Sequence, residues 1–308
     1  MRVKLILIIV IVVILILIVQ PQNLFISTPQ HTSLYIKGVN TASLNDTTAY
    51  YVEHANITWV RVPAMISTLN AVISVAALHN IKVLAVLDYD TMGNVNFTLS
   101  QWNSTVREYA MQYPSVSAWE IWNEPQYYLL GFQNYSVKNY FLMLQSAYEI
   151  IKSVDPNALV IAFGGVYLPQ LPFVEGVIKL GGLEYCDAVS LHMYPGYYDT
   201  LGGQTWEAAY KYTLNQYVEI LHGKPIWITE TGLMSYPTTN YPENIGNQSQ
   251  YMLTAIPIFK SFGINVVFWY NLQDGTQLIN YPTTGTWGLL ATNGTPKLSY
   301  YTWKNLTV

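Results

Sequence analysis

The chain has 308 residues, 51% of them apolar and only 10% charged, with a net charge of -4. That balance excludes an ordinary nucleic-acid partner, which needs a basic stripe along one face, and the charged share is far below the roughly 25% usual in globular chains. A single cysteine, Cys186, excludes an intrachain disulfide.

The first element is a leader. Arg2 and Lys4 precede an unbroken apolar run from Leu5 to Val19, short for a membrane span of roughly 20 residues but suited to an export signal. Residues 1–20 are therefore expected to be a signal peptide or membrane anchor, and 21–32 a polar linker. Membrane contact is expected only through that leader, with the domain outside the cell. Eight N-x-S/T sequons, at Asn45, Asn56, Asn96, Asn103, Asn134, Asn247, Asn293 and Asn305, suit a glycosylated extracellular surface. The scarcity of ionisable groups limits self-repulsion as pH falls, so a protein working in acid is expected.

From residue 33 to 308 short β-rich runs alternate with longer helical patterns, the mark of βα units and a parallel sheet. Strands are predicted at Leu34–Val39, Thr58–Val62, Val83–Leu87, Ala118–Trp122, Leu159–Phe163, Ala188–His192, Ile226–Thr229 and Val266–Trp269. Helices are predicted at Ser67–His79, Leu99–Tyr113, Val137–Val154, Tyr210–His222 and Asn247–Phe262. Eight βα units predict one (β/α)8 TIM barrel of the α/β class. An open doubly wound sheet is the alternative, but no G-x-G-x-x-G or phosphate loop follows an early strand.

In such a barrel the working residues stand at the C-terminal strand ends. Arg61 interrupts the apolar second strand. Strand four runs into Trp119-Glu120-Ile121-Trp122-Asn123-Glu124-Pro125, strand six into His192-Met193-Tyr194-Pro195, strand seven into Thr229-Glu230-Thr231-Gly232, and strand eight into Phe268-Trp269-Tyr270-Asn271. Buried charges without partners cost several kcal/mol, so Arg61, Glu124 and Glu230 should face one another or a polar cavity. Two carboxylates across a barrel mouth are what glycoside cleavage requires, one to protonate the leaving oxygen and one to attack or activate water. A separation of about 5–5.5 Å gives retention and about 6.5–9.5 Å inversion. The five histidines, at 31, 54, 79, 192 and 222, lack metal-ligand spacing, and no serine-nucleophile elbow is present, so neither metal nor cofactor is expected.

The WEIWNEP motif, followed by H-x-Y-P, T-E-T-G and a Trp on strand eight, resembles clan A of the glycoside hydrolases, with families 5 (cellulase-like) and 39 (xylosidase-like) nearest. The resemblance implies a retaining hydrolase of β-linked poly- or oligosaccharides. It gives Glu124 the acid/base role, Glu230 that of nucleophile, and Asn123 a bond to the sugar 2-hydroxyl. Arg61 would lie beneath Glu230 as its counter-charge, Tyr194 would donate to Glu230, His192 would line the pocket near the acid/base, and Trp269 would form the sugar-stacking floor. Where family 5 often carries His, after strand three, this chain reads Asp88-Tyr89-Asp90.

Each assignment has a plainer alternative. Glu124 and Glu230 could steady the barrel mouth as ion-pair partners, Arg61 could be a structural counter-charge, and Asn123 could cap a turn. His192 and Trp269 could be core, while Asp88 and Asp90 are expected to be solvated loop residues. Tyr89, Tyr197, Tyr198, Tyr270 and Trp287 are candidate sugar platforms or ordinary packing. As whole-protein alternatives, a transglycosylase or a non-catalytic carbohydrate-binding envelope protein would use the same barrel. The rim segments 194–209 and 271–287 are expected to set specificity.

Overall fold

A computed structural model describes residues 35–93, 97–125, 136–195, 205–235, 247–275 and 285–306. The leader, the linker, Tyr197 and Tyr198 lie outside the described residues, as do Asn96 and Asn134 and much of both rim segments.

Eight parallel strands close into a barrel in sequence order. They are β1 (Ile36–Asn40), β2 (Trp59–Pro63), β3 (Lys82–Leu87), β4 (Ala118–Ile121), β5 (Leu159–Val166), β6 (Ala188–Met193), β7 (Ile226–Thr231) and β8 (Val266–Trp269), with β1 paired to β8. The helices are α1 (Asp46–His54), α2 (Ile66–Leu78), α3 (Tyr89–Met92), α4 (Leu99–Gln112), α5 (Val137–Val154), α6 (Leu171–Lys179), α7 (Trp206–Leu221), α8 (Gln248–Ser261) and α9 (Leu298–Asn305). Asn45, Thr98, Ser136, Thr205 and Asn247 cap α1, α4, α5, α7 and α8, each side chain accepting a backbone N–H of the first turn. No helix among the described residues is long and apolar enough to cross a membrane.

Strand alternation sorts the side chains into two cores. Trp59, Leu84, Ala118, Ile161, Ala188, Trp227, Val266 and Phe268 fill the barrel interior. Trp59 meets Trp227 edge-on at 5.5 Å, and Trp227 stacks on Phe268 at 6.3 Å. These positions belong mostly to the starts of the strands, so the barrel has an aromatic floor and leaves the strand ends to polar residues. The alternate positions, such as Val60, Trp119, Ile121, Ile228 and Trp269, pack outward with the helices.

Four helices lie outside the predicted set. α1, α3, α6 and α9 are 9, 4, 9 and 8 residues long, too short for a strong periodic signal. α7 starts four residues earlier than expected because Thr205 caps it and Trp206 is buried. β5 runs past Phe163 through Gly164 and Gly165 to Val166, with a register shift against β6. Lys37, buried on β1, donates to the carbonyls of Trp303 at 2.9 Å and Lys304 at 3.1 Å and so ties the end of α9 to the first strand.

Candidate active site

The site is built on one guanidinium. Alternation on β2 points Arg61 inward after Trp59, and on β4 it points Glu120 inward after Ala118. Arg61 Nε donates to Glu120 at 2.5 Å. Its Nη1 donates to Glu230 at 2.6 Å and to Asn40 at 2.8 Å, and its Nη2 to Asn123 at 2.8 Å. Arg61 and Glu120 are 6% and 0% exposed. Burial works against the guanidinium charge, but the charges of Glu120 and Glu230 outweigh it and push its pKa further above its ordinary value.

Glu120 is held from its other side by the Thr229 hydroxyl at 3.0 Å, and that hydroxyl pairs with Ser190 at 2.5 Å. Thr229 and Glu230 are consecutive, so a regular strand would point them to opposite faces. Register shifts between β6 and β7 and between β7 and β8 let both reach the interior network.

Glu230 is gripped at both oxygens. Oε1 accepts from Arg61, and Oε2 accepts from the Tyr194 hydroxyl at 2.6 Å. His192 bridges the two candidate carboxylates. Its Nδ1 lies 3.0 Å from Glu124 Oε1, and its Nε2 lies 3.6 Å from Glu230 Oε1. The carboxyl groups are thus separated by one imidazole and its two contacts.

Glu124 stands on a sharply turned segment. Trp122 has φ 71° and Glu124 φ 43°, both in the left-handed region that costs a non-glycine residue about 1–2 kcal/mol. Two glycines of β5 make this possible. A Cβ on Gly164 would lie 2.1 Å from the Trp122 carbonyl, and one on Gly165 would lie 2.1 Å from the His192 ring. Without them, the backbone N–H of Glu124 could not reach the Gly164 carbonyl at 2.6 Å, nor could the imidazole lie flat against β5.

Of the residues expected at the site, Arg61, Asn123, Glu124, His192, Tyr194 and Glu230 come together. Trp269 does not. It is fully buried outside the barrel, where it packs on Tyr251 at 6.0 Å and Trp303 at 6.0 Å and donates its indole N–H to the Trp287 carbonyl. Strand alternation explains the correction: Val266 and Phe268 take the inward positions, leaving Trp269 the outward one. Tyr270, the next residue, lines the cavity instead, and its edge faces Trp287 at 6.0 Å.

The cavity, of about 250 Å³, is lined by Arg61, Asn123 and Glu230 together with Asn40, Asp88, Tyr89, Asp90, Tyr270 and Asn271. The solvated-loop expectation for Asp88 is therefore corrected. Asp88 is 5% exposed and caps α3, accepting the backbone N–H of Asp90 at 2.9 Å. Burial first and then the charge of Asp90 push its carboxyl up to about 6, against the partial relief of Arg61 and the capping bonds. Asp90 is exposed, as expected. Asn40 and Glu120 had no assigned role in the sequence, although a Glu inside an apolar strand is itself a signal for a buried partner. Among the described residues no cluster could hold a metal.

The family model for cellulase (glycosyl hydrolase family 5) matches residues 33–275. No curated protein matches the chain. Among solved structures, a family 39 glycoside hydrolase from Bacteroides cellulosilyticus WH2 is similar, with 22% identity and a TM-score of 0.67 over 87% of this chain and 62% of that one. β-Glucuronidase 2 of Bacteroides uniformis is 14% identical, with a TM-score of 0.65 over 88% of this chain and 34% of that one. The β-glucuronidase of Ruminococcus gnavus, in complex with D-glucuronic acid, is 15% identical, with a TM-score of 0.64 over 88% and 49%. This chain therefore spans less than two thirds of each of these proteins, and the likeness is one of fold.

Proposed function

The chain belongs to glycosyl hydrolase family 5, and from that premise we propose that it hydrolyses β-glycosidic bonds of an oligo- or polysaccharide with net retention at the anomeric carbon. The observation that supports the nucleophile is the placement of Glu230: both of its oxygens are held, by Arg61 and Tyr194, and it shares the His192 imidazole with Glu124. Retention is the outcome typical of the family that the chain belongs to.

In this scheme Glu124 protonates the glycosidic oxygen as the bond to the anomeric carbon breaks. Glu230 attacks that carbon from the opposite face and forms a glycosyl-enzyme ester. Glu124, now a carboxylate, takes a proton from water, which displaces Glu230 and frees the sugar. Arg61 and the Tyr194 hydroxyl hold Glu230 in one orientation before attack. Asn123, whose carbonyl oxygen accepts from Arg61, keeps its amide free to donate to the sugar 2-hydroxyl.

The test is stereochemical. Proton spectra taken in the first turnovers should show the β-anomer as the initial product, and a 2-deoxy-2-fluoro glycoside should leave an adduct on Glu230. Initial release of the α-anomer would sink the retaining scheme.

We further propose that the protein is exported and works outside the cell. The leader and the sequons support this. Among the described sequons, Asn45, Asn56, Asn247, Asn293 and Asn305 are exposed, Asn45 and Asn247 serving also as helix caps. N-terminal sequencing of protein recovered from membrane and medium fractions tests it.

A further inference from the structure

Resting on that hydrolase scheme, a second inference concerns which sugars the cavity admits. Its wall carries Asp88 and Asp90 beside Glu230, and among the described residues the cations near them are already committed to other partners. Arg61 spends four of its N–H directions on Glu120, Glu230, Asn40 and Asn123. The segments joining each strand to the next helix contain only one other Lys or Arg, Lys297. Its ammonium is occupied by Asp274, at 2.9 and 3.1 Å, and by the Ser235 hydroxyl.

A hexuronide differs from its hexoside in carrying a carboxylate on C5. Above about pH 6 that carboxylate would stand beside two aspartates, Asp88 buried and Asp90 at the exposed edge, with the Arg61 guanidinium already held by Glu120 and Glu230. The hydroxymethyl group of a hexoside, or the bare C5 of a pentoside, meets no such penalty, and a carboxylate wall accepts sugar hydroxyls as donors. We propose that Asp88 and Asp90 form a charge filter that admits uncharged glycosides and rejects uronides, although the barrel has the fold of proteins named as glucuronidases.

The discriminating measurement uses matched p-nitrophenyl β-glycosides: glucoside, galactoside, mannoside, xyloside, glucuronide and galacturonide. Calorimetric titration of the Glu230→Gln protein at pH 8, where the Asp88 carboxyl is ionised, reads binding without turnover, and hydrolysis by the unsubstituted protein is followed in parallel. At least one uncharged glycoside should bind about 30-fold or more tighter than its matched uronide, as expected for one to two like-charge contacts at a partly buried site. Adding Asp88→Asn with Asp90→Asn should shrink that ratio to about threefold, chiefly by tightening the uronide. Asn keeps the cap on α3, so folding is preserved and is checked by circular dichroism. A uronide that binds the Glu230→Gln protein as tightly as its neutral partner overturns the filter, as does a ratio unmoved by the two substitutions. In either case hydrolysis of a panel member leaves the proposed function standing. Inertness of the unsubstituted protein toward every glycoside overturns the proposed function, and the filter with it.

Discussion

Glu120 and Glu230, on strands β4 and β7, are joined through a single guanidinium: Arg61 holds the first at 2.5 Å through Nε and the second at 2.6 Å through Nη1. The buried carboxylate and the more accessible one therefore compete for one positive charge. Arg61→Met should remove that charge and leave Glu120 sealed in the barrel. A loss of roughly 3–5 kcal/mol in unfolding free energy is expected, since an unpaired buried charge is left behind. Glu120→Gln in the same background should restore at least about 1 kcal/mol, measured by urea denaturation as a double-mutant cycle. Strict additivity would show that the two side chains do not share their stability.

Glu124→Gln and Glu230→Gln should be distinguishable by leaving group. Without Glu124 the first step lacks its proton donor, so hydrolysis of a glycoside with a poor leaving group should fall by about 10²–10⁴-fold. A dinitrophenyl glycoside, which leaves unprotonated, should be far less affected in that step. Without Glu230 both substrates should be lost alike. Equal losses for both substrates in Glu124→Gln would contradict the acid role.

The raised carboxyl of Asp88, at about 6 against an ordinary 3.8, carries a signed consequence. The folded state binds the proton more tightly than the unfolded chain does. Its contribution is therefore fully present below about pH 4 and is lost as pH rises through about 6. Asp88→Asn should accordingly be more stable than the unsubstituted protein at pH 8 by roughly 2–3 kcal/mol, and the gain should vanish at pH 3.5. Urea midpoints at the two pH values decide it. A gain of the same size at both would mean that the carboxyl does not titrate in this range. This group alone makes the protein relatively stronger in acid.

Gly165→Ala places a methyl group against the His192 imidazole in a left-handed backbone. The ring must move, and with it the link between Glu124 and Glu230. A fall in kcat of at least about tenfold is expected, from misplacement of a catalytic group, together with roughly 1 kcal/mol of backbone cost. An unchanged kcat beside a lowered Tm would assign Gly165 to folding alone.

Trp269 and Tyr270 should separate stability from binding. Trp269→Ala opens a hole in the outer core worth about 3–5 kcal/mol. Tyr270→Ala should leave most of the stability and raise KM instead, because its ring lines the cavity. A larger stability loss for Tyr270→Ala than for Trp269→Ala would reverse their places.

These two residues also show where sequence reasoning reaches its limit. The barrel was legible because parallel strands buried on both faces leave apolar runs of four to eight residues at regular spacing, and each predicted strand overlaps an observed one. The paired acids were legible because they close those runs. Trp269 was misplaced because a one-residue step along a strand exchanges the two faces, and the motif alone does not say which aromatic faces in. The inward alternation of Val266 and Phe268 was the available clue. Glu120 draws no role from the motif because it precedes the conspicuous Asn123-Glu124 pair, and a short aspartate-rich turn such as that at Asp88 reads as solvent-facing whatever its burial. The bulges that bring both Thr229 and Glu230 inward leave no mark in the residue pattern at all.

The plug of Trp59, Trp227 and Phe268 settles the traffic through the molecule. With the underside filled among the described residues, a sugar cleaved as proposed would enter and its products would leave by the upper mouth, so no chain would thread through and emerge behind. Processive hauling of a polymer would have to run sideways along the rim, never down the axis.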